Sequence, residues 1–185
     1  KVKVFKENLC SKPLSPYALS KLTAEFYLKQ FYQLYGLETI TLRYFNVYGP
    51  YQDPTNEYAN VIPIFITKML NDEQPTIHWD GEQSRDFNYI DDVVEANILA
   101  MKLKKTHGEV LNVCNGETNS INQLFKNINQ ILNKNIKAIN GPKRPGDMRS
   151  TLGNPDLAEK VLGFKAKNNF QKGLKKTIEW FKKNS

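Results

Sequence analysis

Several things are scarce in this chain of 185 residues, and each scarcity excludes something. No apolar run approaches the about eighteen residues of a membrane span, and the opening residues lack the apolar block of a secretory signal. There are two cysteines, Cys10 and Cys114, far apart and without metal-ligand spacing. That rules out a disulfide scaffold, gives no metal site, and leads us to expect idle thiols in a reducing, cytoplasmic setting. Ten glycines and nine prolines are too scattered for a fibrous or low-complexity chain. The glycines form no G-x-G-x-x-G or G-x-x-G-x-x-G run, and Gly141-Pro142-Lys143-Arg144-Pro145-Gly146-Asp147 lacks the Lys-Ser/Thr ending of a P-loop. The text begins with Lys1 rather than Met, as though cut from something longer.

What remains is the composition of a globular protein: 40% hydrophobic, 11% aromatic and 24% charged residues, enough for one domain with a real core or two small ones. The net charge of +7 is unevenly placed. Residues 1–133 carry 13 basic and 15 acidic side chains, whereas 134–185 carry 13 and 4. A basic end invites a nucleic-acid reading. Lys172, Lys175, Lys176, Lys182 and Lys183, however, share a helical segment with Leu174, Ile178, Trp180 and Phe181, so a solvated lysine face over an apolar stripe accounts for them, and nucleic acid is not expected as a partner.

The chain reads as alternating helices and strands. Ser15-Pro16 is a helix start, a hydroxyl N-cap followed by proline, and Gly36 is its stop. Between them Leu19, Leu22, Phe26, Tyr27, Leu28, Phe31 and Leu34 place apolar groups on more than one side, which predicts a central helix covered on two faces. Thr39 to Phe45 alternates as a strand running into the turn Asn46 to Pro50, and Val61 to Leu70 is a second apolar helix with Pro63 in its first turn. Short strands are expected at Thr76–Trp79, Phe87–Ile90, Glu109–Cys114 and Ile136–Ile139. Asp91 or Asp92 should cap a helix to about Met101, Ser120-Ile121-Asn122-Gln123 is a capping box, and two last helices start near Pro155 and Asn169. The residues before Ser15 read as irregular. The pattern is α/β, more α+β in the second half.

Tyr17 and Lys21 stand four apart on the first helix and so share a face. A phenol in water ionises near pH 10, and a neighbouring ammonium favours the phenolate, which would make a usable base. Alone the pair is weak evidence, since Tyr and Lys at this spacing occur by chance on many helices. Arg85, Arg144 and Asp147 suit a nucleoside diphosphate, with fork-shaped cations for the phosphates and a carboxylate for ribose hydroxyls. Singly, each Arg is better read as a surface ion pair, Arg85 beside Asp86 being an example.

The run Ser15-Pro16-Tyr17-Ala18-Leu19-Ser20-Lys21 closely resembles the Tyr-x-x-x-Lys segment of the extended short-chain dehydrogenase/reductases. Four further runs follow in that family's order and spacing: Leu42 to Pro50, Val61-Ile62-Pro63, Asp80 to Phe87 with Asp91-Asp92-Val93-Val94, and Arg144-Pro145-Gly146-Asp147. Together they cover most of residues 13–162, and they are most similar to the nucleotide-sugar 4-epimerases acting on UDP-hexoses and UDP-N-acetylhexosamines.

The resemblance implies a C-terminal portion of such an enzyme. Residues 1–50 would be the last elements of an NAD-binding Rossmann domain, with its parallel sheet, and residues 51–185 mainly a small α+β substrate-binding lobe with some segments returning to the Rossmann part. It implies NAD as cofactor and a UDP-sugar as substrate, with Tyr17 as the proton-exchanging base and Lys21 on the nicotinamide ribose. Phe45 would lie against the cofactor through its backbone. Asn46 and Val61 would meet the nucleotide sugar, Arg85 and Arg144 the diphosphate, Asp147 the ribose, and Thr76 and His78 the uracil, His78 standing where an amide is common in that family. Thr151 would border the sugar pocket, and its small size predicts room for an N-acetyl group. A homodimer through the Tyr17–Tyr35 helix is also implied. The Gly-rich loop and a Ser/Thr proton relay would precede Lys1, so the 185-residue polypeptide alone is expected to be inactive. A nucleotide-sugar 4,6-dehydratase and a non-catalytic nucleotide-sugar-binding module are the competing readings.

Overall fold

A computed structural model describes residues 3–55, 60–144 and 146–184; Pro145 of the last signature lies outside them. The elements run β1 (Val4–Phe5), α1 (Pro16–Tyr35), β2 (Ile40–Tyr44), β3 (Val47–Tyr48), α2 (Val61–Leu70), β4 (Thr76–His78), β5 (Ser84–Arg85), β6 (Asn88–Tyr89), α3 (Ile90–Met101), β7 (Glu109–Val113), β8 (Asn119–Ser120), α4 (Ile121–Leu132), β9 (Ile139–Gly141), β10 (Ser150–Gly153), α5 (Asp156–Leu162) and α6 (Phe170–Asn184). The architecture is mixed α/β. Strand pairing is parallel in β2–β7, β3–β6, β4–β9, β1–β10 and β10–β5, and antiparallel only where β5 meets β8. The longest ladder sets Ile40 opposite Glu109 and Tyr44 opposite Val113.

Two apolar clusters hold these layers. One gathers Ile62, Phe65, Ile66 and Met69 of α2, Leu124 and Ile128 of α4, and Leu174, Ile178 and Phe181 of α6 around Tyr48 and Phe87. The other joins Leu111 and Val113 of β7 to Val93 and Ala96 of α3 and Ala158 and Leu162 of α5, with Ile40 and Leu42 of β2 against them. The lysine-rich α6 buries Leu174, Ile178 and Phe181, as a solvated helix over an apolar stripe should. Gly173 on the same helix is a matter of space: a Cβ there would lie 2.2 Å from the Tyr48 hydroxyl, which donates to the Phe170 carbonyl at 3.2 Å.

Local chemistry explains the boundaries. Ser15 accepts from the Ala18 amide at 3.1 Å, Pro16 opens α1, and Gly36 closes it at φ 66°. Ser120 and Gln123 form the reciprocal capping box of α4. Lys134 donates to the last carbonyls of α2, Met69 and Leu70, at 2.9 and 2.8 Å, placing a cation at the negative end of that helix.

Four expectations need correcting. α1 is not covered on two faces: it buries no residue, and it is tied down by polar bonds, from Arg43 to Glu25 at 2.8 and 2.6 Å and between Tyr32 and His107 at 2.9 Å. Asp91 and Asp92 do not cap α3, which starts after Tyr89; Asp92 instead accepts from the Lys167 and Asn168 amides and from the Asn168 side chain, pinning the α5–α6 connection. The strand expected at 136–139 begins at Ile139, because the Asn129 amide occupies both the N–H and the C=O of Ile136. The opening segment is not wholly irregular, since Val4 and Phe5 pair with Leu152 and Gly153. None of the described helices is long and apolar enough to cross a membrane.

Candidate functional site

The α2 positions 61, 64, 65 and 68 fall on one helical stripe, so Val61, Ile64, Phe65 and Lys68 form one wall of a cavity of about 360 Å³. Thr76 and His78 come to it from β4, Arg85 from β5, Asn46 from the turn after β2, and Arg144 and Asp147 from the loop between β9 and β10. The volume is in the range of small-molecule sites, and the lining combines apolar walls with a few convergent polar groups.

Arg85 is immobilised. Its guanidinium is ion-paired with Asp147 and donates to the carbonyls of Met148 at 2.7 Å and Ser84 at 2.9 Å. It makes no pair with the adjacent Asp86. Arg144 bonds His78 through the ring Nε2 at 2.9 Å, and His78 Nδ1 meets the Pro142 carbonyl at 3.0 Å. Thr151 donates to the Asn46 side-chain oxygen at 3.2 Å, so it sits just behind the lining. The structure thus gathers Asn46, Val61, Thr76, His78, Arg85, Arg144 and Asp147 at one cavity, with Thr151 one bond away.

Tyr17, Lys21 and Phe45 are not part of it. Tyr17 is 72% exposed at the start of α1, with the Lys21 ammonium 5.4 Å from its ring centroid, so the shared face holds. Phe45 is half-buried at the end of β2, its amide donating to the Val113 carbonyl at 3.1 Å. Lys21 has no carboxylate partner among the described residues.

Among the lining residues that went unread in the sequence are Lys68 and Gln83. Lys68 lies two turns beyond Val61 on the same stripe, a spacing that could have revealed it. Gln83, 4% exposed, reaches the cavity while its amide donates to the His78 carbonyl at 2.9 Å. Another missed group is Asp86, fully buried directly after Arg85. Its carboxylate accepts from the amides of Asn115, Gly116 and Gly153, joining the ends of β7 and β10. Burial pushes its pKa up to about 6, against the downward pull of those three amides. The neighbouring Cys114 thiol is likewise pushed up by burial, as befits an idle thiol; Cys10 is exposed.

Over its full length the chain is 42% identical to the UDP-glucose 4-epimerase of Thermotoga maritima, solved with UDP-glucose, at a TM-score of 0.93 and covering 59% of that chain. It is 41% identical to the UDP-N-acetylglucosamine 4-epimerase of Methanobrevibacter ruminantium M1, solved with UDP-N-acetylmuramic acid, at a TM-score of 0.93 over 98% of this chain and 58% of that one. The UDP-glucose 4-epimerase of Mycolicibacterium smegmatis is 34% identical over 97% of this chain and 56% of its own. The chain therefore spans a little more than half the length of the relatives it matches. Residues 3–114 match the family model described as NAD dependent epimerase/dehydratase family, and the Rossmann-like α/β fold agrees, so the chain belongs to that family.

Proposed function

We propose that these residues form the substrate-binding part of an enzyme that inverts C4 of a UDP-hexose or UDP-N-acetylhexosamine through a transient 4-keto sugar. The observation that carries this is the convergence of Arg85, Arg144, Asp147 and Asn46 on one cavity, a donor and acceptor set suited to a nucleoside diphosphate. In this reading the cluster around β2, β7, α3 and α5 belongs to the cofactor domain, and the cluster around α2, α4 and α6 is the substrate lobe.

NAD, when bound, supplies the hydride acceptor and donor. Its fit to this chain is partial: Tyr17 and Lys21 offer a phenol and an ammonium on one exposed face, Phe45 offers backbone at a strand end, and the 185 residues contain no Gly-rich pyrophosphate run. Tyr17 takes the proton from the sugar 4-hydroxyl and later returns it. Lys21 orients the cofactor ribose. Arg85 and Arg144 hold the diphosphate while the keto sugar turns over, Asp147 meets the ribose hydroxyls, Thr76 and the β4 backbone at His78 flank the base, and Asn46 and Val61 line the passage to the sugar. Thr151 leaves room for an N-acetyl group. The aromatic and aliphatic surface of α1 supports the homodimer that the resemblance implies.

The test is product analysis with the intact enzyme and NAD, offering UDP-glucose, UDP-galactose and both N-acetyl counterparts. Interconversion within both pairs is expected. Activity confined to the sugars without N-acetyl would remove the Thr151 reading, a 4-keto-6-deoxy product would make the enzyme a dehydratase, and UDP binding with no turnover would leave a binding module.

A further inference from the structure

The hydrogen bonds around His78 admit one chemical form of its ring. Nδ1 faces the Pro142 carbonyl at 3.0 Å, and a carbonyl only accepts, so Nδ1 carries a proton. Nε2 faces a guanidinium nitrogen of Arg144 at 2.9 Å, and a guanidinium only donates, so Nε2 must offer its lone pair. The ring is neutral and clasps the loop leaving β9 at two points, Pro142 and Arg144. Its seat is made by Gly141, where a Cβ would stand 2.7 Å from Nδ1 and 3.0 Å from Cε1. Asp147, farther along the same loop, is fastened separately to Arg85. Among the described residues, the imidazole is the only side chain that bonds the Arg144 guanidinium.

We propose that His78 is a positioning residue that aims Arg144 at the diphosphate of a nucleotide ligand, and that it does so only while its ring is neutral. This rests on the nucleotide-sugar reading above. The charged groups lining the cavity with the ring are Lys68 of α2, Arg85 of β5, and Arg144 and Asp147 of the loop, the carboxylate of Asp147 already being engaged by Arg85. Protonation of Nε2 would set a donor and a second positive charge against the guanidinium, and the strut would open. Nucleotide affinity then becomes dependent on pH through a residue that need not touch the phosphates.

Calorimetric titration of the intact enzyme with uridine and with UDP separates this role from base contact. At pH 8, His78→Leu is expected to weaken UDP binding about tenfold, the scale of one charge-assisted hydrogen bond, and uridine binding by less than about twofold. His78→Gln, whose amide offers a donor and an acceptor, should restore UDP binding to within about threefold of the parent. Between pH 8 and pH 5.5 the parent should lose UDP affinity more steeply than His78→Gln, which carries the titration of UDP itself. Equal losses for uridine and UDP in His78→Leu, or no loss of either, would overturn the proposal. If His78→Leu fails to fold, the pH comparison of the parent with His78→Gln decides, and parallel slopes overturn it. Failure of the parent enzyme to bind UDP at all would instead count against the nucleotide-sugar reading.

Discussion

α1 and α2 are both apolar helices with clear start signals, yet none of the 20 residues of α1 is buried, whereas α2, with 10 residues, buries Ile62, Pro63, Phe65, Ile66 and Met69. The difference is in their neighbours. α2 lies against α4 and α6, which fill its grooves from two sides, while α1 meets the edge formed by β2 and the β7 turn through an ion pair and a Tyr32–His107 bond. Apolar spacing says that a helix has something to bury and does not say against what. The same contrast divides the proposed chemistry: α2 builds the nucleotide cavity within this chain, and α1 carries Tyr17 and Lys21 on its exposed surface.

The largest expected effect follows from that division. Tyr17→Phe in the intact enzyme removes only the phenol oxygen, so turnover should fall about 10²–10⁴-fold, the range for a general base, with UDP affinity unchanged within about twofold. Steady-state kinetics beside calorimetry would show whether binding and chemistry separate in this way; a joint loss would mean that α1 helps to build the cavity.

Stability should follow the same line. In urea denaturation of the 185-residue chain, Leu174→Ala, which empties a fully buried site on α6, is expected to cost about 2–5 kcal/mol. Leu34→Ala on α1, at a side chain 68% exposed, should stay within about 0.5 kcal/mol. Comparable costs would show α1 to be packed in solution.

A smaller and pH-specific effect belongs to Asp86. Its pKa stands at about 6 in the folded chain against an ordinary 3.8, so between these values the folded state holds a proton that the unfolded state has released. Stability contributed by this group is therefore complete below about pH 4, falls by up to about 3 kcal/mol as pH rises through 6, and is flat above. Asp86→Asn should be less stable at pH 4, because an amide group must face backbone N–H donors, and should lack that slope. Urea midpoints from pH 4 to 7 for both proteins check it, and identical slopes would mean that other groups set the pH dependence.

Much of the fold was legible because its signals are local. Ser15, Pro16 and Gly36 bound α1, Ser120 with Gln123 starts α4, and the alternation at Ile40–Tyr44 marks β2; in each case the chemistry acts within four residues. The strands β1, β5 and β10 were illegible for the opposite reason. They have two to four residues each, too few to show a period, and exist by pairing across long sequence separations. Asp86 and Asp92 resisted reading because a buried carboxylate that clamps distant amides looks, in sequence, like any charged residue at a helix start or beside an arginine.

By itself the sequence determined the helix limits, the α/β alternation and, through five ordered signatures, the family and the residues to examine. Only the tertiary structure decided that seven of those residues share one cavity, that Lys68 and Gln83 join them, that α1 stays bare, and that His78 meets Arg144. The reason is range. Capping and periodicity act between near neighbours along the chain, whereas a cavity is made where α2, β4, β5 and the loop before β10 meet, and no local pattern records which side chains will face one another there.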